Sequence, residues 1–100
     1  MKILHLNLYR KYFDAIFNGT KLFEYREKTD YWKKRIENRE YDVIQFRNGY
    51  AKIAPTMLVE YKGYNIDAGY DKFLKRTKDR YELKLGKIIE VKNYEGLMND

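Results

Sequence analysis

The sequence predicts an α+β fold: a small, mostly antiparallel β-barrel of about five strands with two or three short helices. Three observations carry that expectation. Short apolar–polar alternations recur between turn signals, the spacing of a meandering sheet and not of a repeated strand–helix unit. Helical periodicity is concentrated early in the chain. One hundred residues leave room for one hydrophobic core, so 1–100 reads as a single domain.

Lys2 to Leu8 alternates, with Leu4, Leu6 and Leu8 on one face and Ile3, His5 and Asn7 on the other. That is a strand, and sharing a face with Ile3 makes a satisfied, buried histidine the expectation for His5. Tyr9, Tyr12, Phe13, Ile16 and Phe17 then follow helical spacing. Gly19 stands where a helix-terminating glycine belongs. A second strand is expected over Lys21–Glu27. Thr29 or Asp30 can cap a short helix from Tyr31 to Glu37, carrying Trp32 and Ile36. Tyr41 to Arg47 predicts a third strand, ended by the Asn48-Gly49 turn. A loop with the only proline, Pro55, leads to a fourth strand, Thr56 to Tyr64, with Gly63 marking a bulge. Asn65 to Tyr81 fits either a short helix or a long loop over a site. Lys84 to Tyr94 supplies a fifth strand with Ile89 and Val91 inward, and Glu95–Asp100 is expected to fray.

Composition narrows function. The chain has no cysteine, no serine and one histidine. Disulfides, thiolate metal sites, serine or cysteine nucleophiles and multi-histidine metal centres are therefore excluded. No GxGxxG or GxxxxGK[ST] is present, and no EF-hand spacing, so no cofactor or metal is expected. No apolar run approaches the ~18 residues of a membrane span, and no signal-peptide core stands at the N-terminus. The expectation is a cytoplasmic protein without membrane contact, with a monomer as the default state. The formal net charge of +6 favours anionic partners. Lys+Arg exceed Asp+Glu by 11 to 7 in residues 1–50 and by 10 to 8 in 51–100, so there is no basic tail.

The densest chemistry is Gly19-Thr20-Lys21-Leu22-Phe23-Glu24-Tyr25-Arg26. Lysine, glutamate and arginine fall within six residues of a strand start. Strand parity puts Glu24 and Arg26 on one face, and Lys21 can reach over from the turn. The pattern suits a grip on an anion that carries its own carboxylate. An ordinary salt-bridged strand, with Lys21 solvated, explains the spacing equally well.

This octapeptide resembles the GxKxxExR motif of the ASCH domain family, of the PUA-like superfamily. Its context is similar too: ILHLNL, then YFDAIFNG, the motif, a short helix with Tyr31, Trp32 and Arg35, then YDVIQF and NGY. The resemblance covers about the first 64 residues well and the remainder loosely. It implies a PUA-like β-barrel with a cleft holding the motif side chains, and a role on RNA. Some family members resemble amidohydrolases acting on acylated cytidine, and others ribonucleases. In the amidohydrolase branch the motif lysine is catalytic and a threonine stands third after it. Here Lys21 and Arg26 match, and Glu24 occupies the threonine position.

Three functional classes follow. In RNA or nucleotide binding, Lys21, Arg26 and Arg35 neutralise phosphate, Tyr31, Trp32 or Tyr50 stack on bases, and Glu24 accepts hydrogen bonds. Trp32 also fits a core position beside Ile36. In a hydrolase, Lys21 is base or nucleophile, Glu24 moves protons, and Glu60 is a second carboxylate if it does not simply face solvent. In a protein-interaction adaptor the positive charge serves solubility alone.

Overall fold

A computed structural model describes residues 1–94. The expected frayed tail lies outside the described residues. The order of elements is β1 (Ile3–Asn7), α1 (Arg10–Phe17), β2 (Phe23–Glu27), α2 (Asp30–Ile36), β3 (Val43–Arg47), β4 (Thr56–Asp71) and β5 (Arg76–Lys92). They form one five-stranded mixed sheet in the order β1-β3-β4-β5-β2, with two helices. Among the described residues only β1 and β3 pair in parallel; the other ladders are antiparallel.

Local rules place each early element. The alternation in β1 buries Leu4 and Leu6. Helix α1 buries Phe13 and Ile16 and leaves Tyr9 and Tyr12 outside. It ends in a complete Schellman motif: Gly19 N–H donates to the Ile16 carbonyl and Thr20 N–H to that of Ala15. Gly19 has φ +78°, a conformation that costs a side-chain-bearing residue energy. That turn throws the chain directly into Lys21. Thr29 caps α2 by accepting from Trp32 N–H.

The core joins Leu4, Phe13, Ile16 and Ile36 to Ile44, Phe46, Met57, Val59, Tyr81 and Leu83. Burial of each such side chain contributes about 1.5–3 kcal/mol.

The sheet curls without closing. In a flat sheet, edges four strands apart would be separated by about 19 Å at ~4.8 Å per strand. Here Arg26 of β2 donates from Nη2 to the carbonyl of Asn7 in β1 at 3.0 Å. The two edges therefore approach within one side chain, yet among the described residues no ladder joins them.

The segment 65–81 is neither helix nor loop. It is the outer part of a long β4–β5 hairpin, paired from Asn65↔Glu82 to Asp71↔Arg76. Its tip is built by Asp71, whose Oδ1 accepts from the N–H groups of Phe73 and Leu74, and by Lys75 at φ +52°. Gly63, at φ +96°, lies in a register shift between Tyr61 and Tyr64, the expected bulge. A second shift corrects the expectation for Ile89. Leu58 pairs with Glu90 and Val59 with Ile88, so Ile89 is the extra residue and turns outward, while Val91 packs on the core.

The tyrosine-rich core makes stability pH-dependent. Burial, then hydrogen bonds to Glu37 and Asp14 respectively, raise the Tyr81 and Tyr94 hydroxyls above their ordinary range. Burial alone is the main cause at Tyr61, pushed up to about 12. Each holds its proton more tightly folded than unfolded. That stabilisation is complete below about pH 10 and is lost as pH rises through the folded values. Urea midpoints should therefore fall steadily above about pH 10, and a flat profile there would contradict the assignment.

The Tyr61 hydroxyl is also buried, with no hydrogen-bond partner among the described residues. Tyr61→Phe should stabilise the fold by about 1 kcal/mol, read as a higher denaturation midpoint. A lower midpoint would mean that the hydroxyl is bonded.

Candidate functional site

Glu24 is the only buried charged residue among the described residues, 5% exposed. A carboxylate removed from water must be paired or neutralised, and the motif supplies the partners. Its Oε2 accepts from Arg26 Nη1 at 2.6 Å. Its Oε1 accepts from Tyr25 N–H at 3.0 Å and lies 3.4 Å from Lys21 Nζ. The lysine side chain is 18% exposed and the arginine 16%. Two cations and one anion leave the cluster with one net positive charge.

Arg26 is the hub. Three of its five N–H donors go to Glu24 Oε2, the Tyr25 carbonyl and the Asn7 carbonyl. Most of the guanidinium therefore organises the carboxylate and bridges the seam between β1 and β2. Its Cζ also lies 5.2 Å from the Trp32 ring centroid. Lys21 lies between two rings, 5.4 Å from the centroid of Tyr12 and 5.1 Å from that of Tyr25. Glu24 lies deep in the cluster, and Lys21, which the salt-bridged-strand reading left solvated, is folded over it.

The cluster borders a cleft of about 930 Å³ at the open seam of the sheet. Lys21, Glu24 and Arg26 line it together with Tyr31, Trp32 and Tyr50. Trp32 packs partly on the core, as its position beside Ile36 suggested, and partly faces the cleft. Tyr31 meets it edge-on at 4.9 Å. Tyr50 is 90% exposed, on the loop after β3. Asn7 Oδ1 accepts from Gly49 N–H, and Asn48 Nδ2 donates to the Leu8 carbonyl, which fixes that loop beside β1.

Arg35 is not part of the cleft lining. Its guanidinium lies 3.5 Å from the Tyr31 ring centroid and donates to the Tyr31 carbonyl, so it backs the aromatic wall instead. Glu60 pairs with Lys62 away from the cleft, as the solvent-facing expectation had it. His5 is exposed and lines the cleft with Asn7, which corrects the buried-histidine expectation.

Sequence reasoning missed three further contributors. Tyr12 and Tyr25 enclose Lys21, and Arg80 enters from β5. The Arg80 guanidinium stacks 3.8 Å from the Tyr25 ring centroid and bonds to Asp67 at 2.9 Å. A side chain on Gly69 would press against Arg80, with its Cβ only 3.1 Å from Cδ and Nε. The glycine therefore leaves room for this arginine. Burial and then the Glu82 carboxylate raise the Tyr25 hydroxyl above the usual phenol range.

Among the described residues no helix is long and apolar enough to cross a membrane. No protein-family model, no curated protein and no solved structure matches the chain.

Proposed function

We propose that this chain is an ASCH-type, PUA-like domain that binds RNA or a nucleotide in the seam cleft. One observation carries the reading: a Lys21–Glu24–Arg26 cluster with net positive charge, its carboxylate buried and its cations reaching the cleft, beside Tyr12, Tyr25, Tyr31 and Trp32. Phosphate needs cations, and a base needs aromatic faces and a few fixed hydrogen-bonding groups. Both are present within one cleft of nucleotide dimensions. Lys21 meets phosphate, Trp32 and Tyr31 stack on the base, and Glu24 sets the positions of both cations. The curled five-stranded sheet, with its open seam between β1 and β2, supports the PUA-like reading. The overall charge of +6 agrees with an anionic partner.

A hydrolase on a modified nucleoside or on RNA is the second reading. It is favoured by the 3.4 Å approach of Lys21 Nζ to Glu24 Oε1, an acid–base pair bordering the cleft. Binding is preferred because both Glu24 oxygens already accept hydrogen bonds from Tyr25 and Arg26.

The single tryptophan provides the test. Titration with a ribonucleotide or short RNA should change Trp32 emission saturably, and Lys21→Ala should weaken the response. No saturable change in either protein would refute nucleotide binding in this cleft.

A further inference from the structure

The cleft does not end at Arg80. Tyr25, Arg26 and Arg80 also line a second groove of about 480 Å³, which runs along the outer β4–β5 hairpin past Tyr70, Lys72 and Phe73. The three shared residues border both depressions, so the two adjoin. Between Arg80 and the tip, Asp67↔Arg80 to Asp71↔Arg76, the ladder extends about 13 Å at ~3.3 Å per residue.

The hairpin is costly to leave in water. Phe73 is 98% exposed and Tyr70 66%, with Leu74 beside them. Around Phe73 stand Lys72, Lys75 and Arg76, with no acid from 72 to 76. Of the acids near it, Asp67 holds Arg80, Asp71 holds the tip turn and Glu27 lies 3.4 Å from Lys78, while Asp79 also lines the groove. Backbone hydrogen bonds lower the Asp71 carboxyl below its ordinary range. Exposed aromatics interleaved with unneutralised cations, aligned with a groove, suit the bases and phosphates of a flexible single strand.

We propose that the ligand is a single-stranded RNA that continues from the seam cleft along the β4–β5 hairpin, with Phe73 and Tyr70 as stacking faces and Lys72 as a phosphate contact. This rests on the nucleotide reading of the seam cleft. Arg80, held over Tyr25 by Asp67 and Gly69, is the joint between the two subsites. Continuity with that cleft favours RNA over an anionic membrane surface, which the same tip chemistry could also attract.

The test compares a mononucleotide with single-stranded oligoribonucleotides of about four and about eight residues. Native protein and the double variant Lys72→Ala/Phe73→Ala are titrated, with Lys21→Ala alongside. Both substituted hairpin positions are exposed and outside the core. Native affinity should rise at least tenfold from the mononucleotide to the longer RNA. The hairpin variant should keep mononucleotide affinity and lose most of that gain. Its salt slope should be shallower by about 0.7, because one fewer phosphate is neutralised. Length-independent binding that still needs Lys21 would overturn the hairpin subsite and leave the cleft reading intact. Binding of no RNA and no nucleotide would overturn the cleft reading itself. Phe73-dependent capture on phosphatidylserine vesicles, with RNA binding unchanged in the variant, would overturn the RNA assignment of the hairpin.

Discussion

Glu24→Ala is expected to destabilise the domain by about 3–5 kcal/mol. For a domain of this size that is a fall in Tm of about 12 °C or more. The reason is the geometry around the carboxylate. Removing it leaves Lys21 and Arg26 as two mostly buried cations facing one another, and it strips the acceptor from Arg26 Nη1 and from Tyr25 N–H. Glu24→Gln keeps the volume and an acceptor but not the charge, so its loss should be smaller. Removing Lys21 as well should recover part of the alanine variant's deficit, because one of the opposed charges is gone. Thermal unfolding followed by circular dichroism orders the four proteins. An alanine variant within about 1 kcal/mol of native would mean that the carboxylate is solvated and the cluster is an ordinary surface pair.

The second large effect is on binding, where the two cations separate. Lys21→Ala should weaken RNA or nucleotide binding about tenfold or more and make the salt slope shallower by about 0.7, with little change in stability. Arg26 carries both roles. Arg26→Ala should weaken binding and also loosen the fold, because its guanidinium bridges the β1–β2 seam through the Asn7 carbonyl. Arg26→Lys tests the distinction. It keeps the charge but cannot hold the Glu24 carboxylate and the Asn7 carbonyl at once. Stability should drop nearly as far as in Arg26→Ala, while the salt slope stays native. Equal stability of native and Arg26→Lys would refute the bridging role.

Much of the first half of the chain was legible because its signals are local. Helical spacing over Tyr9–Phe17, a left-handed glycine at 19, a threonine cap at 29 and an Asn-Gly turn each follow from backbone sterics and hydrogen bonding within a few residues. The hairpin beyond Asn65 gave no such signal. It stands outside the core, with one face exposed and the other half-buried by polar residues and glycine, so no apolar alternation was needed, and its tip uses Asp71 and Lys75 in place of the usual glycine pair. Ile89 was misplaced because a one-residue bulge reverses strand parity.

The site divides along the same line. Lys21, Glu24 and Arg26 were visible as a local motif, and Tyr31, Trp32 and Tyr50 as aromatics near it. Arg35 was placed there by proximity along the chain, whereas the hairpin brings Arg80 instead. That placement depends on β5 pairing with both β4 and β2, which no local pattern encodes. The burial of Glu24 was hidden for a related reason. A charged residue at a strand position reads as solvent-facing until its two partners are known to fold over it.

The most direct test of the central claim is fluorescence anisotropy of a labelled single-stranded RNA at two salt concentrations, with native protein and Lys21→Ala. Binding should be saturable, weaken with salt, and be abolished or strongly reduced without Lys21. Absence of binding, or binding indifferent to Lys21, would contradict the assignment of the seam cleft as a nucleic-acid site.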